Sequence, residues 1–484
     1  MTYRDFGGIM EKLRKLDADG RRLTPIIFYF RLISYYICVY QRKSASKDKS
    51  TQSVIMLLKK VSGFALGTGI SRVFGLLREM VLAHLFGATM YMDAFRVAFN
   101  IPNLLRDALA EGSLTPSFIP IYSEHSEKRS GEEADRFAST VITNFFFITL
   151  VISIIGIAVA PFLVKLIAFG FTGDKFSLTV SLTRIIFPFL IFISISAIFM
   201  GILNYHGRFF TTGFAPVFFN VGIIAFCWLL YSKIGITGAA IGVVVGGLLY
   251  LVYQIIWAER DGFHFEPRLN LANPEFLRVV KIMLPIAVGF AAGKINTIVN
   301  TLIASFMETG SISYLNYSYR LVQLPVGLIG VAIANVVLPT LSRELSRERS
   351  GDDIIRSSIK LTISVIVPLT ILFFLLSTFI VRLLYQHGNF TANDTLFTAA
   401  CLRFYSPAIV GFSLTRVFAS IFYSMKDSKT PFFVGLVAVV INLSCALSLK
   451  DILGVNALAL AVSISSCINA LFLFILLKRR LKKV

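Results

Sequence analysis

The residues of this sequence that could do chemistry are ionisable side chains set inside long apolar blocks. Most of them are arginines, and several carboxylates lie close to them in the sequence. The planar guanidinium group stays charged when it is partly desolvated and binds phosphate oxygens two at a time. Several arginines around one cavity would therefore suit a diphosphate. We predict ligand contacts for Arg72, Arg78, Arg106 and Arg320, a further cavity cation at Lys294, and cavity or gating acids at Asp93, Glu79 and Glu111.

The first two of these arginines indicate a wide cavity. Arg72 and Arg78 lie about 120° apart around one helix, so a narrow seam between helices could not accept both. A water-filled cavity could accept both, and the glycines of the same segment, Gly75 among them, would let the helix bend or pack closely beside it.

Each charged residue also has a simpler interpretation. A single buried arginine can form an interhelical ion pair, and Asp107 and Glu111, four residues apart, could pair with arginines and hold the helix packing. Arg416 lies near the predicted end of a span, where a long side chain can reach the membrane surface. Arg184 and Arg403 occupy equivalent places in an internal repeat and are interpreted as structural.

Sequence signatures of an enzyme are missing. No P-loop occurs, so direct driving by ATP is not indicated. The five histidines and five cysteines are scattered without metal-ligand or redox spacing, and the cysteines are interpreted as small apolar residues. We therefore predict no catalytic residue, no metal and no cofactor.

Composition requires that membrane-spanning helices hold these charges. Of the 484 residues, 56% are hydrophobic and only 15% are charged, whereas soluble proteins carry about 25% charged residues. Lipid leaves unpaired backbone groups unsatisfied, so the spans must be helices. A window of about 20 residues predicts twelve spans. They are 54–85, 94–121, 138–169, 178–203, 214–232, 236–258, 278–306, 313–341, 359–385, 396–424, 431–449 and 455–477.

Lysine and arginine are divided unequally between the two sets of connections. One set, which includes 258–281, 342–360 and the C-terminal tail, contains 20 of them, and the other set contains 3. Basic connections stay on the cytoplasmic side of the membrane. We therefore expect both termini in the cytoplasm, and the opposite connections are too short to hold a catalytic domain.

An internal repeat predicts two related halves. Arg184-x3-Pro188 returns as Arg403-x3-Pro407 at an offset of 219 residues, and other short patterns return at nearly the same offset. Six spans per repeat give both halves the same orientation. The predicted fold class is thus an all-α polytopic membrane protein, with about twelve transmembrane helices in two parallel six-helix lobes around a central cationic cavity.

Four parts are expected along the chain. They are a basic N-terminal extension (1–53), an N-lobe (54–258), a cytoplasmic linker (259–277) and a C-lobe with a basic tail (278–484). The extension carries eleven basic and five acidic residues. Two interpretations of it stay open, an interfacial helix drawn to anionic lipid and a mis-assigned translation start, since Met56 precedes a span.

Several motifs closely resemble the MurJ/MviN family of lipid II flippases. The opening of that family is matched by SRVFGLLRE (71–79), FGA (86–88), DAF (93–95), NIPNLLR (100–106) and AEGS (110–113). Two later segments of this sequence, YSYRLVQLP (317–325) and QHGNFT (386–391), also resemble segments of that family. The likeness runs from about residue 54 to the C-terminus.

This resemblance implies a transporter of the multidrug/oligosaccharidyl-lipid/polysaccharide exporter superfamily. It would move lipid II, the undecaprenyl-diphosphate-linked disaccharide-pentapeptide, from the cytoplasmic to the periplasmic leaflet of the bacterial inner membrane for peptidoglycan synthesis, cell wall biogenesis and cell shape. The essential cavity arginines of the family correspond by motif to Arg72, Arg78, Arg106 and Arg320, and its conserved acid corresponds to Asp93.

The implied partners are lipid II and membrane lipids. Contact with the peptidoglycan synthesis machinery is compatible with this role, and no nucleic acid is expected. A fold with two lobes can work as a monomer, which is the expected state.

The sequence also departs from the family pattern. The family carries acidic residues beside the arginine of the eighth span, which is Arg320 here. In this sequence Tyr319 precedes that arginine and Gln323 follows it, so any role of a carboxylate at these positions is lost. Family members usually carry fourteen spans, of which the last two form a groove for the lipid tail, whereas twelve spans are predicted here. Some relatives hold sodium between the seventh, eleventh and twelfth spans. The nearest matches are Asn300 and Asn442, with Ala446 where an acid would help, so sodium is not expected.

The function predicted from all of this is translocation by alternating access without covalent chemistry. Two alternatives keep the same fold, an exporter of another polyprenyl-linked glycan and a cationic-drug antiporter. The drug antiporter would need a carboxylate-rich cavity, which the excess of arginine disfavours. A third alternative is a membrane-embedded transferase acting on lipid-linked sugar, for which Asp93 is the only obvious acid.

Overall fold

The computed structural model describes residues 49–128, 130–346 and 351–481, which form helices joined by short connections. The chain divides into two compact units, Met1–Leu66 and Gly67–Val484. All contacts described below lie within the second unit. Of the predicted extension 1–53, residues 1–48 lie outside the described residues.

The helices fall into an N-terminal half, which runs to Arg260, and a C-terminal half, which begins at Pro274. The first half contains α1 (Lys49–Phe86), α2 (Met90–Arg106), the π-helical turn π1 (Asp107–Glu111), α3 (Leu114–Lys128), α4 (Gly131–Ala158), α5 (Ala160–Ile167), α6 (Gly173–Ile186), α7 (Phe189–Tyr205), α8 (Phe209–Phe214), α9 (Pro216–Ile234) and α10 (Thr237–Arg260). The second contains α11 (Pro274–Gly293), α12 (Ile295–Ala304), α13 (Ser311–Pro325), the π-helical turn π2 (Val326–Gly330), α14 (Val331–Ser346), α15 (Asp352–Leu375), α16 (Ser377–Tyr385), α17 (Ala392–Ser424), α18 (Lys429–Leu453) and α19 (Val455–Leu481).

Helices long and apolar enough to cross a membrane number nine among the described residues, or ten if α11 and α12, bent by 44°, count as one span. The predicted all-α polytopic fold is confirmed. The count of twelve stays a prediction, because the first two predicted spans, 54–85 and 94–121, coincide with α1 and with α2 to α3, which are not among these helices. Those two segments are rich in ionisable residues.

Several of the predicted spans are broken into shorter helices, and the breaks in two of them correspond between the halves. The predicted span 138–169 divides at Val159, where Pro161 sits in the first turn of α5. Proline lacks the N–H that would continue the helical ladder, so it favours a new helix start. The predicted span 359–385 divides at Leu376. The two breaks are 217 residues apart, close to the offset of the predicted repeat.

The connection between the halves is hydrogen-bonded to side chains of α4. The backbone N–H of His264 donates to Asp135 at 3.0 Å, and that of Asn270 donates to Asn144 Oδ1 at 3.0 Å. The Asn144 amide returns a hydrogen bond to the Asn270 carbonyl at 2.7 Å. The next helix, α11, also packs on the N-terminal half, where Phe276 contacts Phe145 with ring centroids 5.8 Å apart. This arrangement fixes the start of the bent pair α11–α12, which carries Lys294.

The two halves are in close contact at one end of the helices, which we call the low-charge end. It consists of the connections 87–89, 168–172, 305–310 and 386–391. The Asn389 N–H donates to the His84 carbonyl at 2.8 Å, and the Tyr317 hydroxyl donates to the Gly87 carbonyl at 3.2 Å. Gly87 has a φ of +59°, and a β-carbon there would collide with the Asn389 carbonyl. Glycine is thus required where the connections touch.

Candidate functional site: an arginine-lined cavity

Arginines from both halves line one cavity of about 500 Å³. Its neutral hydrogen-bonding groups include Asn103, Asn220 and Gln323, and no carboxylate belongs to the lining among the described residues. The cavity therefore offers a ligand positive charge and hydrogen-bond donors. The lining arginines are Arg72 and Arg78 of α1, Arg106 of α2, Arg320 of α13 and Arg416 of α17.

Irregular helix turns position several of these arginines. Arg106 is followed at once by π1, and Arg320 lies one turn and a half before π2. A π-helical turn adds a residue to the helical repeat and is frequent at functional sites. The four arginines predicted as ligand contacts, which the sequence separates by up to 248 residues, all lie around this cavity.

Glu79 lies behind the cavity and is fully buried. Arg78 Nη2 donates to Glu79 Oε1 at 2.6 Å, and Arg320 Nη2 donates to the same oxygen at 3.3 Å. Arg96 pairs with Glu79 Oε2, and its guanidinium lies over the Tyr317 ring at 4.9 Å. One carboxylate thus faces three arginines from α1, α2 and α13. Burial of unbalanced charge is costly, so the excess favours an anionic ligand.

A second ion-pair group joins α2 to the bend between α11 and α12. Arg106 Nη2 donates to Asp107 Oδ1 at 2.7 Å, and Lys294 Nζ lies 2.6 Å from Asp107 Oδ2. Lys294 is therefore an ion-pair partner of the N-terminal half, and it is not among the residues that line the cavity. The alternative interpretation of Asp107, which pairs it with an arginine to hold helix packing, agrees with this geometry. The side chain of Glu111 lies outside the described residues.

Arg416 was assigned from sequence to the membrane surface, and the structure corrects this assignment. The end of α17 at Ser424 agrees with the predicted end of the span, but Arg416, two turns before it, lines the cavity. Among the described residues, neither Arg72 nor Arg416 has a carboxylate within ion-pair distance. Of the five arginines that line the cavity, these two are therefore the ones whose charge is least neutralised by other groups of the protein.

Asp93 lies at the low-charge end and is not part of the cavity lining. It is 1% exposed and accepts hydrogen bonds from the Gly310 N–H at 2.8 Å, the Ser313 N–H at 2.9 Å and the Ser313 hydroxyl at 2.7 Å. Lys175 Nζ donates to it at 2.8 Å. Asp93 of the N-terminal half thus caps α13 of the C-terminal half, where a carboxylate is favoured by the helix dipole. This is a joint between halves and not a ligand contact.

Comparison with solved structures defines the class of protein. The fold matches the inward-facing conformation of a multidrug resistance MATE family transporter of the MOP superfamily, with a TM-score of 0.74 and 15% identity over 85% of this chain and 95% of that chain. At this identity the match shows the fold alone. It is the fold of a multi-pass helical membrane protein.

The particular family follows from closer similarity. The family model described as lipid II flippase MurJ matches residues 82–484. A probable lipid II flippase MurJ of Treponema pallidum is 35% identical over 437 residues, which is 87% of this chain and 82% of that protein. A structure titled lipid II flippase MurJ, inward closed conformation, matches with a TM-score of 0.76 and 30% identity over 86% of this chain and 87% of that chain. The chain belongs to the lipid II flippase MurJ family, which makes it a transporter and not an enzyme, as predicted.

Gly327 offers a test of how Arg72 is positioned. A β-carbon at Gly327 would lie 2.5 Å from Arg72 Nη1 and 2.9 Å from its Cζ. Since the obstacle is the end of a flexible side chain, Gly327→Ala displaces the guanidinium without unfolding the protein. We expect binding of inorganic pyrophosphate to weaken about threefold or more, as one charge-assisted contact is misplaced. Isothermal titration of the solubilised protein measures this.

The control for Gly327→Ala is Gly435→Ala on α18, because a β-carbon at Gly435 meets nothing within 4 Å. Both variants should keep the melting temperature or raise it slightly, since alanine favours a helix by about 0.5–1 kcal/mol over glycine. Equal pyrophosphate affinity in the two variants would contradict the positioning role of Gly327.

Proposed function

We propose that this chain translocates lipid II across the bacterial inner membrane by alternating access. The observation that carries the proposal is the cavity itself, in which five arginines from both halves surround a space without a lining carboxylate among the described residues. A diphosphate carries several negative charges on oxygens spaced for bidentate contact with guanidinium groups. The names of the relatives in the same family point to the same substrate.

The closed low-charge end supports one direction of access. Asp93, Gly87 and Asn389 join the halves there. By the charge bias of the connections, this end is periplasmic, and both termini are cytoplasmic. The diphosphate head group would then reach the arginines from the cytoplasmic side while its prenyl tail stays in lipid. Breaking the joint at the low-charge end would release the head group outward.

We assign the moving bodies to an N-lobe, 54–258, and a C-lobe, 278–484, joined by the linker 259–277. The protein is expected to work as a monomer, with lipid II and membrane lipids as its partners and with contact to the peptidoglycan synthesis machinery compatible with its location. Packing of α11 on the N-terminal half suggests that the start of the C-lobe moves with the N-lobe. The bend at Lys294 would then be the point where the two motions separate.

The alternatives are less well supported. A cationic-drug antiporter needs carboxylates facing its ligand, and the described cavity lining has none. A transferase would need a free acid, but Asp93 accepts four hydrogen bonds from protein groups away from the cavity. An exporter of another polyprenyl-linked glycan would use the same arginine cavity, so it differs only in the sugars that it accepts.

Complementation tests the proposed function. In cells depleted of their own lipid II flippase, expression of this chain should restore growth and cell shape and should lower the accumulated lipid II in the cytoplasmic leaflet. An empty vector and equal membrane expression are the controls. Failure to rescue, together with restored export of another polyprenyl-linked glycan in a matching export mutant, would replace lipid II by that substrate.

A further inference from the structure

A second cavity, of about 210 Å³, lies inside the C-terminal half. It is enclosed by α12, α13, α17, α18 and α19, and amides, hydroxyls and two tyrosine rings supply its polar lining. No charged side chain belongs to this lining among the described residues. The space has room for several water molecules, each of which occupies about 30 Å³ in the liquid, or for a group of the size of one pyranose ring.

The lining leaves hydrogen-bonding capacity unused. Asn296 Oδ1, Asn469 Oδ1 and Thr415 Oγ1 are buried and have no hydrogen-bond partner. Buried polar atoms are normally paired, and the exceptions need an explanation. Two of these three atoms can only accept, so a ligand with hydroxyl donors would satisfy them. Beside the cavity, Asn442 Nδ2 donates to Asn300 Oδ1 at 3.0 Å. This position is therefore occupied by a neutral pair of amides and not by a carboxylate.

The two cavities adjoin each other along shared helices. On α13, Asn316 lines the second cavity and Arg320 lines the arginine cavity. Residues four apart on a helix are separated by about 6 Å along its axis. On α17, Thr415 lines the second cavity and Arg416 lines the first. A group held in the second cavity and a diphosphate held by the arginines would therefore lie beside neighbouring turns of α13.

Aromatic rings give the second cavity a further feature of carbohydrate sites. Tyr319 and Tyr405 both line it, with ring centroids 5.8 Å apart and planes inclined by 57°. The C–H face of a pyranose packs on such rings while its hydroxyl groups bond to amides. Uncharged amides, hydroxyls and tyrosine faces together match a neutral, hydroxyl-rich ligand.

We propose that this cavity is a sugar subsite, which binds the sugar attached to the diphosphate while the arginines bind the diphosphate itself. The inference rests on the proposed function. It makes the amide-lined cavity the part of the protein that distinguishes a glycosylated polyprenyl diphosphate from a bare one. Asn296 and Asn469 accept hydrogen bonds from sugar hydroxyl groups, and Thr415 completes the contact next to Arg416.

The test compares two ligands on the purified full chain. They are an undecaprenyl diphosphate that carries N-acetylmuramyl-pentapeptide and the same undecaprenyl diphosphate without sugar. Asn296→Ala and Asn469→Ala should each reduce affinity for the glycosylated lipid about tenfold, the effect of losing one hydrogen bond, and should leave affinity for the bare lipid unchanged. Asn393→Ala, at the exposed start of α17, is the matched control.

Each other outcome has a defined meaning. Equal weakening of both ligands would overturn the sugar subsite, as would stabilisation by Na⁺ that the variants abolish without any change in the preference for sugar. If the unaltered chain binds neither lipid, the proposed function fails, whereas equal affinity for both lipids removes only the subsite. Thr415→Val, which keeps the side-chain shape, should reproduce the selective loss if an alanine variant fails to fold.

Discussion

Arg320→Ala should abolish measurable lipid II translocation. Arg320 brings the only guanidinium of α13 to the cavity and belongs to the C-terminal half, whereas Arg72 and Arg78 belong to the N-terminal half. Arg320 is about half-exposed, and the loss of one charge-assisted contact to a ligand costs about 1.5–3 kcal/mol, which corresponds to a loss on the order of 10- to 100-fold in ligand affinity. Arg320→Lys keeps the charge but not the bidentate fork, so it should be intermediate. Translocation into liposomes and rescue of flippase-depleted cells are the measurements.

The fold should survive this substitution. Without Arg320, Glu79 still pairs with Arg78 at 2.6 Å and with Arg96, so no buried carboxylate is left without a cation. The matched control is Arg382→Ala, an exposed arginine on α16 outside the cavity. It should retain expression, melting temperature and transport. Full transport by Arg320→Ala at normal expression would refute the arginine cavity as the diphosphate site.

Sequence reasoning reached the fold class because lipid restricts the chain to apolar helices, which a hydropathy window detects. It also selected four of the arginines around the cavity from their depth in the predicted spans and from guanidinium chemistry. The indication of a wide space came from the spacing of Arg72 and Arg78 alone. The residues that it missed depend on contacts between helices. Helical phase alone does not reveal that Arg416 faces inward, because this depends on how α17 packs.

Arg96 and Asp93 show the same limit. Arg96 follows Asp93 by three residues on the same helix, yet its ion-pair partner is Glu79 of α1, 17 residues away in the sequence. The sequence predicts a cavity or gating role for Asp93, but the residues that donate hydrogen bonds to it, Gly310 and Ser313, lie 217 and 220 residues away. A local pattern cannot predict such pairs.

Asp93→Ala should open the low-charge end. The substitution removes three hydrogen bonds that cross between the halves and one ion pair with Lys175. A hydrogen bond to a charged group contributes about 1.5–3 kcal/mol, so losing this set shifts the population strongly towards the open state. Transport should fall at least tenfold, since alternating access needs both states to be populated. Asp93→Asn should act in the same direction, because its amide N–H₂ would face a donor.

Thiol labelling reads out this opening directly. Ala88 is 6% exposed at the joint, and its carbonyl lies against Gly310. In a background without the native cysteines, Ala88→Cys should react slowly with a polar maleimide when Asp93 is present and about tenfold faster in Asp93→Ala, following the open population. Asp174→Ala, which removes an exposed carboxylate in the first turn of α6, is the matched control. Equal labelling rates with and without Asp93 would mean that the joint is held by Gly87, Tyr317 and Asn389 alone, and that Asp93 does not act as the gate.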